Sequence, residues 1–284
     1  MKVLVTTPNG KVGQEVVRQL QERGVEVRVG AHTVDKARQA FPGAEVVPFD
    51  YADEASVREA LRGVDALYLA SPGDMPAEPV KRVVDLAREA GVGQIVRLSA
   101  MGAQHSDNPL REVERHIEAS GAHWTFLRPS WFMQNYSTMY ADMLRGGALY
   151  EPAGDGKTSF VDARDIAAVA VAALTGEGHA GQAYTITGPQ ALDRDEVAAA
   201  ISGATGRDVR YVPISDEQLQ ETMRAGGAPE AYVGLMSALY GAVRGGHSAE
   251  VTDDVRRVTG RDPIPFTQFA RDHADVWAGE LKEA

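Results

Sequence analysis

The chain has 284 residues, 44% of them hydrophobic and 24% charged, with 40 acidic against 29 basic side chains for a net charge of -11, and no cysteine. This suits a globular protein with a sizeable core and excludes disulfides, thiolate nucleophiles, zinc-thiolate sites and iron-sulfur clusters. The acidic balance repels nucleic acid, no run approaches the roughly 18 uncharged apolar residues of a membrane helix, and the N-terminal Met1-Lys2-Val3-Leu4-Val5 carries no export signal, so a cytoplasmic chain with neither nucleic-acid nor membrane partners is expected.

Up to Ser130 short apolar or β-branched runs alternate with amphipathic stretches, the pattern of βαβ units in a parallel, doubly wound sheet. Strands are predicted at residues 2–6, 26–31, 44–47, 66–71, 94–99 and 124–127. Between the first two, Val12, Val16, Val17 and Leu20 recur at helical spacing opposite Gln14, Glu15, Arg18 and Gln19, and Gly24 stops the helix.

The turn after the first strand reads Thr7-Pro8-Asn9-Gly10-Lys11-Val12-Gly13. In a strand-turn-helix context Gly10 lets the backbone approach a pyrophosphate, Gly13 lets helix and sheet pack closely, and the helix N-terminus offers N–H groups and partial positive charge. Lys11 adds a formal charge. Thr7 stands where a first glycine would ease the turn. The end of the second strand has no acidic residue for a ribose 2′-hydroxyl; His32 and Lys36, with Thr33 and Arg28 nearby, are suited to a 2′-phosphate, which favours NADP over NAD.

Beyond Ser130 helical patterns dominate, with short strands predicted at residues 183–187 and 209–212. Asp162 is an expected N-cap, Asp165 complements the dipole of the helix that follows, and Ile166, Ala170 and Leu174 turn inward. Gly154-Asp155-Gly156-Lys157-Thr158 looks like the end of a P-loop, but Glu151 holds the place of its first glycine, so it reads as a plain loop. Met223, Leu235, Met236 and Leu239 sit within residues 218–244, which reads as a helical layer, with a cover over an apolar pocket as the alternative. The expected architecture is α/β: a Rossmann-type sheet domain over residues 1–150 and a smaller, mostly helical substrate region over 151–284 that partly completes it.

With "VTTPNGKVG", "VVPFDYAD", "GVDALYLASP", "AGVGQIVRLSAMGA", "SGAHWTFLRPSWFMQN", "SFVDARDIAAVA" and "GQAYTITGP" in order along nearly the whole chain, the sequence resembles the NmrA-like, atypical branch of the short-chain dehydrogenase/reductases. That group includes quinone oxidoreductases, triphenylmethane dye reductases and cofactor-sensing regulators. The resemblance implies Asn9, Gly10, Lys11, Val12 and Gly13 on the pyrophosphate and His32 where relatives often carry a phosphate-binding arginine. It implies Asp50 and Tyr51 by the adenine, Ala70, Ser71 and Pro72 beside the inner ribose, and Ser99, Ala100 and Met101 near the nicotinamide. Pro129, Ser130, Trp131 and Phe132 would face the nicotinamide ring.

Most short-chain dehydrogenases use a Tyr-x-x-x-Lys pair to protonate a carbonyl oxygen. Between Ser99 and Ser120 there is neither tyrosine nor lysine. Arg115 stands where the quinone-reductase type often has a lysine, and an arginine does not donate protons at neutral pH. His116 is the other candidate, although its setting beside Val113 and Ile117 is that of a packed or surface histidine. The gap points to a small aromatic or conjugated, electron-poor acceptor, with hydride supplied by NADPH. The alternative is a non-catalytic NADP-binding sensor with a regulatory protein partner, and a homodimer suits either. Scattered histidines, with no G-x-S-x-G or H-E-x-x-H motif, speak against a hydrolase or a metal site.

Overall fold

The computed structural model describes residues 1–73, 75–105 and 107–279. The strands are β1 (Lys2–Val5), β2 (Glu26–Ala31), β3 (Glu45–Pro48), β4 (Ala66–Leu69), β5 (Gln94–Leu98), β6 (His123–Pro129), β7 (Ala148–Glu151), β8 (Gln182–Ile186) and β9 (Arg210–Pro213). The helices up to the middle of the chain are α1 (Gly13–Glu22), α2 (Val34–Ala40), α3 (Glu54–Leu61), α4 (Ala77–Glu89), α5 (Pro109–Ala119), α6 (Ala141–Arg145) and α7 (Ala163–Thr175). Then follow α8 (Arg194–Thr205), α9 (Asp216–Ala225), α10 (Glu230–Arg244), α11 (Asp254–Thr259), α12 (Phe266–Asp272) and α13 (Ala274–Ala278).

The chain divides into two units. The first gathers Met1–Pro129, Ala163–Ile186 and Asp254–Arg261. It is built on a seven-stranded, all-parallel sheet in the order β3-β2-β1-β4-β5-β6-β8, so the expected α/β doubly wound fold is present, and strand order reverses between β1 and β4. Val3, Leu4 and Val5 are fully buried, as a strand covered on both faces requires. One face carries Leu4, Leu67, Leu69, Ile95 and Phe126 against α3, α4 and α5. α1 turns Gly13, Val16, Val17 and Leu20 inward, keeps Glu15, Arg18 and Glu22 outside as an ion-paired row, and is followed by Gly24 at φ +71°. α7 begins directly after Asp162, buries Ile166, Ala170 and Leu174, and ion-pairs buried Asp165 with Arg261 at 2.6 Å.

The second unit gathers Ser130–Asp162, Thr187–Asp253 and Asp262–Ala284. Its helices enclose a core that includes Tyr136, Leu149, Phe160, Ile201, Phe269 and Trp277, beside the two-stranded parallel ribbon β7-β9. β7 is a strand that the sequence pattern missed: four residues between a glycine turn and a proline give no period to read. β8 and α7, from beyond residue 150, belong to the first unit through strand pairing and sheet packing.

Candidate functional site

The carboxyl ends of β1 and β4 meet where strand order reverses, which is where open α/β sheets bind ligands. There the Ala70 carbonyl accepts from three hydroxyls: Thr6 at 2.8 Å, Thr7 at 2.5 Å and Tyr51. Thr6 Oγ1 also accepts from the Ala70 N–H at 2.9 Å, tying the two strand ends together. Burial pushes the Tyr51 phenol above its ordinary pKa, so it remains a neutral donor. Tyr51 is aimed by Phe49, whose ring it meets edge-on at 5.0 Å, and Phe49 packs so closely on Gly30 that a Cβ there would lie 2.9 Å away.

The turn from β1 into α1 is tight for a stated reason. Thr7 has φ +51° and is the one non-glycine described residue with positive φ, a conformation that disfavours β-branched side chains. The irregularity noted in the sequence is therefore real backbone strain, held by the bond from its hydroxyl to Ala70. The Gly10 N–H donates to the Thr7 carbonyl at 3.0 Å, and a Cβ on Gly13 would meet that same carbonyl at 2.3 Å. Val12, at the cap of α1, offers no side-chain hydrogen bond to the first turn, and burial lowers the Lys11 ammonium below its ordinary pKa. Asn9 is exposed. Uncapped backbone N–H groups, a half-buried ammonium and a glycine-tight turn form the donor set that a pyrophosphate needs, so the residues present fit a dinucleotide.

At the end of β2, His32 is 82% exposed with its Nε2 3.7 Å from Asp50, and Lys36 is exposed on α2. Arg28 is committed elsewhere: buried, it donates to the carbonyls of Ala60 and Arg62 and pairs with Glu45 at 2.9 Å. Ser71 accepts from Arg97 at 3.0 Å, and exposed Pro72 follows it. The Ser99 N–H donates to Leu127 at 2.7 Å and the Met101 N–H to Pro129 at 3.0 Å, so the ends of β5 and β6 are bound together, with Ala100 half-buried between them.

On α5 the two catalytic candidates have other partners. Exposed Arg115 pairs with Asp107 at 2.7 Å, and His116 meets Asp85 of α4 at 2.7 Å. The group that faces the strands is Glu114, fully buried, which accepts two bonds from Arg128 at 2.9 and 2.8 Å and one from Arg111 at 3.1 Å. Burial alone would raise its pKa; the bonds and charge of Arg128, with the bond from Arg111, outweigh that and hold it below the ordinary carboxylate value. Nothing in the local sequence marks Glu114 as the charge that α5 turns inward. Arg97 does carry a signal, a charge inside the apolar run Gln94-Ile95-Val96-Arg97-Leu98.

Ser130, Trp131 and Phe132 belong to the second unit. Ser130 accepts from the Ser159 hydroxyl at 3.2 Å, Phe132 bridges to Val161, and the half-buried Trp131 ring lies 5.2 Å from that of Tyr240 and 5.9 Å from the Arg194 guanidinium. α9 and α10 form an ordinary helical layer in which Met236, Tyr240 and Val243 are buried and Leu235 and Leu239 are exposed. The P-loop lookalike is a loop: Thr158 accepts from Arg194 at 2.7 Å, Lys157 pairs with Glu196 at 2.9 Å, and a Cβ on Gly156 would strike the Val243 carbonyl at 2.4 Å. Among the described residues no three acidic or histidine side chains cluster as a metal site, and no helix is long and apolar enough to cross a membrane.

Known proteins match this arrangement along its length. NAD(P)H azoreductase of Xenophilus azovorans is 41% identical over 282 residues, 96% of this chain and 98% of that protein. The (4-alkanoyl-5-oxo-2,5-dihydrofuran-3-yl)methyl phosphate reductase of Streptomyces griseus subsp. griseus is 36% identical over 285 residues, 98% of this chain and all (100%) of that protein. Among solved structures, the Citrobacter sp. triphenylmethane reductase complexed with NADP(H) superposes with a TM-score of 0.83 at 27% identity, covering 96% of this chain and 100% of that one. Residues 8–177 match the family described as NAD(P)H-binding, and with these relatives the chain belongs to that family.

Proposed function

We propose that this NAD(P)H-dependent oxidoreductase uses NADPH to reduce a small, electron-poor conjugated acceptor such as a quinone, an azo dye or a cationic triphenylmethane dye. The observation that carries the reading is the state of α5. Where related enzymes keep an acid/base pair, this helix turns inward a carboxylate locked by two arginines, and its other candidates, Arg115 and His116, are engaged with Asp107 and Asp85. A simple ketone needs a positioned acid as hydride arrives, whereas an extended π system spreads the incoming charge itself. The bound nicotinamide supplies the hydride. The chain's part is to hold the pyrophosphate at the turn of residues 7–13 and to fix the carboxyl edge through Thr6, Tyr51 and Ala70. The names of the three relatives, which act on azo, furanone and triphenylmethane compounds, support an acceptor of this class.

The preference for NADPH over NADH is supported by His32 and Lys36, which stand exposed past β2 without an acidic residue at the strand end, and by the NADP(H) in the Citrobacter structure. The sensor reading shares the same site and differs in one outcome. A screen of NADPH oxidation with quinones, azo dyes and cationic dyes separates them: turnover with at least one class supports the reductase, and tight NADPH binding without turnover across all three supports the sensor.

A further inference from the structure

Arg97 lies on β5, central in the sheet, and is 1% exposed. Its Nη1 donates to the Leu69 carbonyl at 3.2 Å, its Nη2 to the Ser71 hydroxyl at 3.0 Å, and its Nε meets no acceptor. Among the described residues no carboxylate touches it. The acid that acts on it from a distance is Glu114, already held by Arg111 and Arg128, while Arg111 is shared with Glu118. Arg111 and Arg128 are thus the guanidinium groups paired with Glu114 and Glu118, and among the described residues Arg97 is ion-paired with neither. Desolvation lowers its pKa, but an arginine stays charged in proteins.

Burying a cation without a counter-ion is expensive, and two hydrogen bonds to neutral oxygens return little of that. A tie between β4 and β5 needs no charge. What the charge does is create a positive potential at the carboxyl edge, beside Ser71 and, two residues along the same strand face, below Ser99. These are the positions at which the family resemblance puts the inner ribose and the nicotinamide.

We infer that Arg97 selects the redox state of the cofactor, favouring the uncharged dihydronicotinamide of NADPH and weakening the hold on the cationic nicotinamide of NADP⁺. This rests on the reading of the carboxyl edge as the cofactor site. The two forms share every phosphate and differ by one positive charge at the ring, so a fixed cation near that ring discriminates between them and nothing else. The spent cofactor leaves, and NADPH takes its place even when NADP⁺ is in excess. At an effective dielectric of about 20, one unit charge acting on another across a few side chains gives a preference on the order of tenfold.

Titration calorimetry of the full chain with NADPH and with NADP⁺ tests this for the wild type, Arg97→Met, Arg97→Gln and Arg97→Lys. The wild type binds NADPH about tenfold tighter, R97K keeps that ratio, and R97M and R97Q bring it to within about threefold. A role confined to packing would weaken both cofactors by the same factor and leave the ratio intact, which overturns the inference. Equal affinities in the wild type overturn it with no variant required, so the test stands even if the neutral variants fail to fold. If the wild type binds neither cofactor, the proposed function falls and this inference with it; binding with an unchanged ratio in R97M removes only the inference.

Discussion

The carbonyl oxygen of Thr7 stands 2.3 Å from the point that a Cβ on Gly13 would occupy, and Pro8 Cα is 3.1 Å from it. An alanine at position 13 must push α1 away from the β1 turn. Gly13→Ala is expected to lower stability by about 2 kcal/mol, the range of an overpacked core, and to weaken NADPH binding at least tenfold. Urea unfolding and calorimetry read the two effects, and unchanged binding would remove the turn from the site.

Thr7 holds φ +51° against the preference of a β-branched residue, with its hydroxyl on the Ala70 carbonyl. Thr7→Val keeps the strain and removes the bond, for an expected loss of about 1–2 kcal/mol. Thr7→Gly removes both and adds chain entropy to the unfolded state, so its net effect stays within about 1 kcal/mol. Thermal unfolding should therefore rank T7G above T7V; the reverse order would mean that the turn is not strained.

Glu114 is ionised below the ordinary carboxylate range, because Arg128 and Arg111 together outweigh its burial. A depressed folded-state pKa contributes stability that is complete above the unfolded value, near about 4.3, and is lost as pH falls through the folded value. Glu114→Gln leaves Arg128 and Arg111 facing a neutral amide and is expected to destabilise by about 3 kcal/mol at pH 7. The gap from wild type should narrow in urea melts as pH drops from about 5 toward 3. A gap independent of pH would show that the charge is not what matters.

His32 and Lys36 stand exposed past β2. Exchanging both for alanine is expected to raise the NADPH KM about fivefold to tenfold and leave that for NADH unchanged, the loss of two solvent-exposed polar contacts to a 2′-phosphate. Steady-state kinetics with the two cofactors decides it; equal effects on both would place the 2′-phosphate elsewhere.

Glu151 and Arg194 are buried together at 2.6 Å, with the guanidinium over the Phe160 ring at 5.0 Å. Glu151→Leu strands a buried cation and should lower stability by about 3–5 kcal/mol, whereas E151L combined with R194M should recover most of that. Denaturant unfolding of the single and double variants measures the coupling, and additive losses would count against a charge-driven effect.

Much of the first unit was readable because its signals are local. Alternating runs mark each strand, 3.6-residue spacing marks α1, and the turn chemistry of residues 7–13 sits within one short segment. β7 escaped because it is four residues long and pairs with a partner far along the chain. Glu114 and Arg97 escaped for another reason: a charge in a helix or strand is normally solvated, and only packing shows which one is turned inward.

The sequence by itself determined the α/β alternation, the glycine-bearing turn, the anomaly at Thr7 and the missing Tyr-x-x-x-Lys pair, since each is a matter of residue type at a stated spacing. Only the tertiary structure decided that β8 and α7 complete the first unit, that Tyr51, Thr6 and Thr7 converge on one carbonyl, and that Arg97 is buried with no carboxylate against it among the described residues. Convergence of residues remote in sequence, and the desolvation that gives their charges force, are products of packing, and no local pattern encodes them.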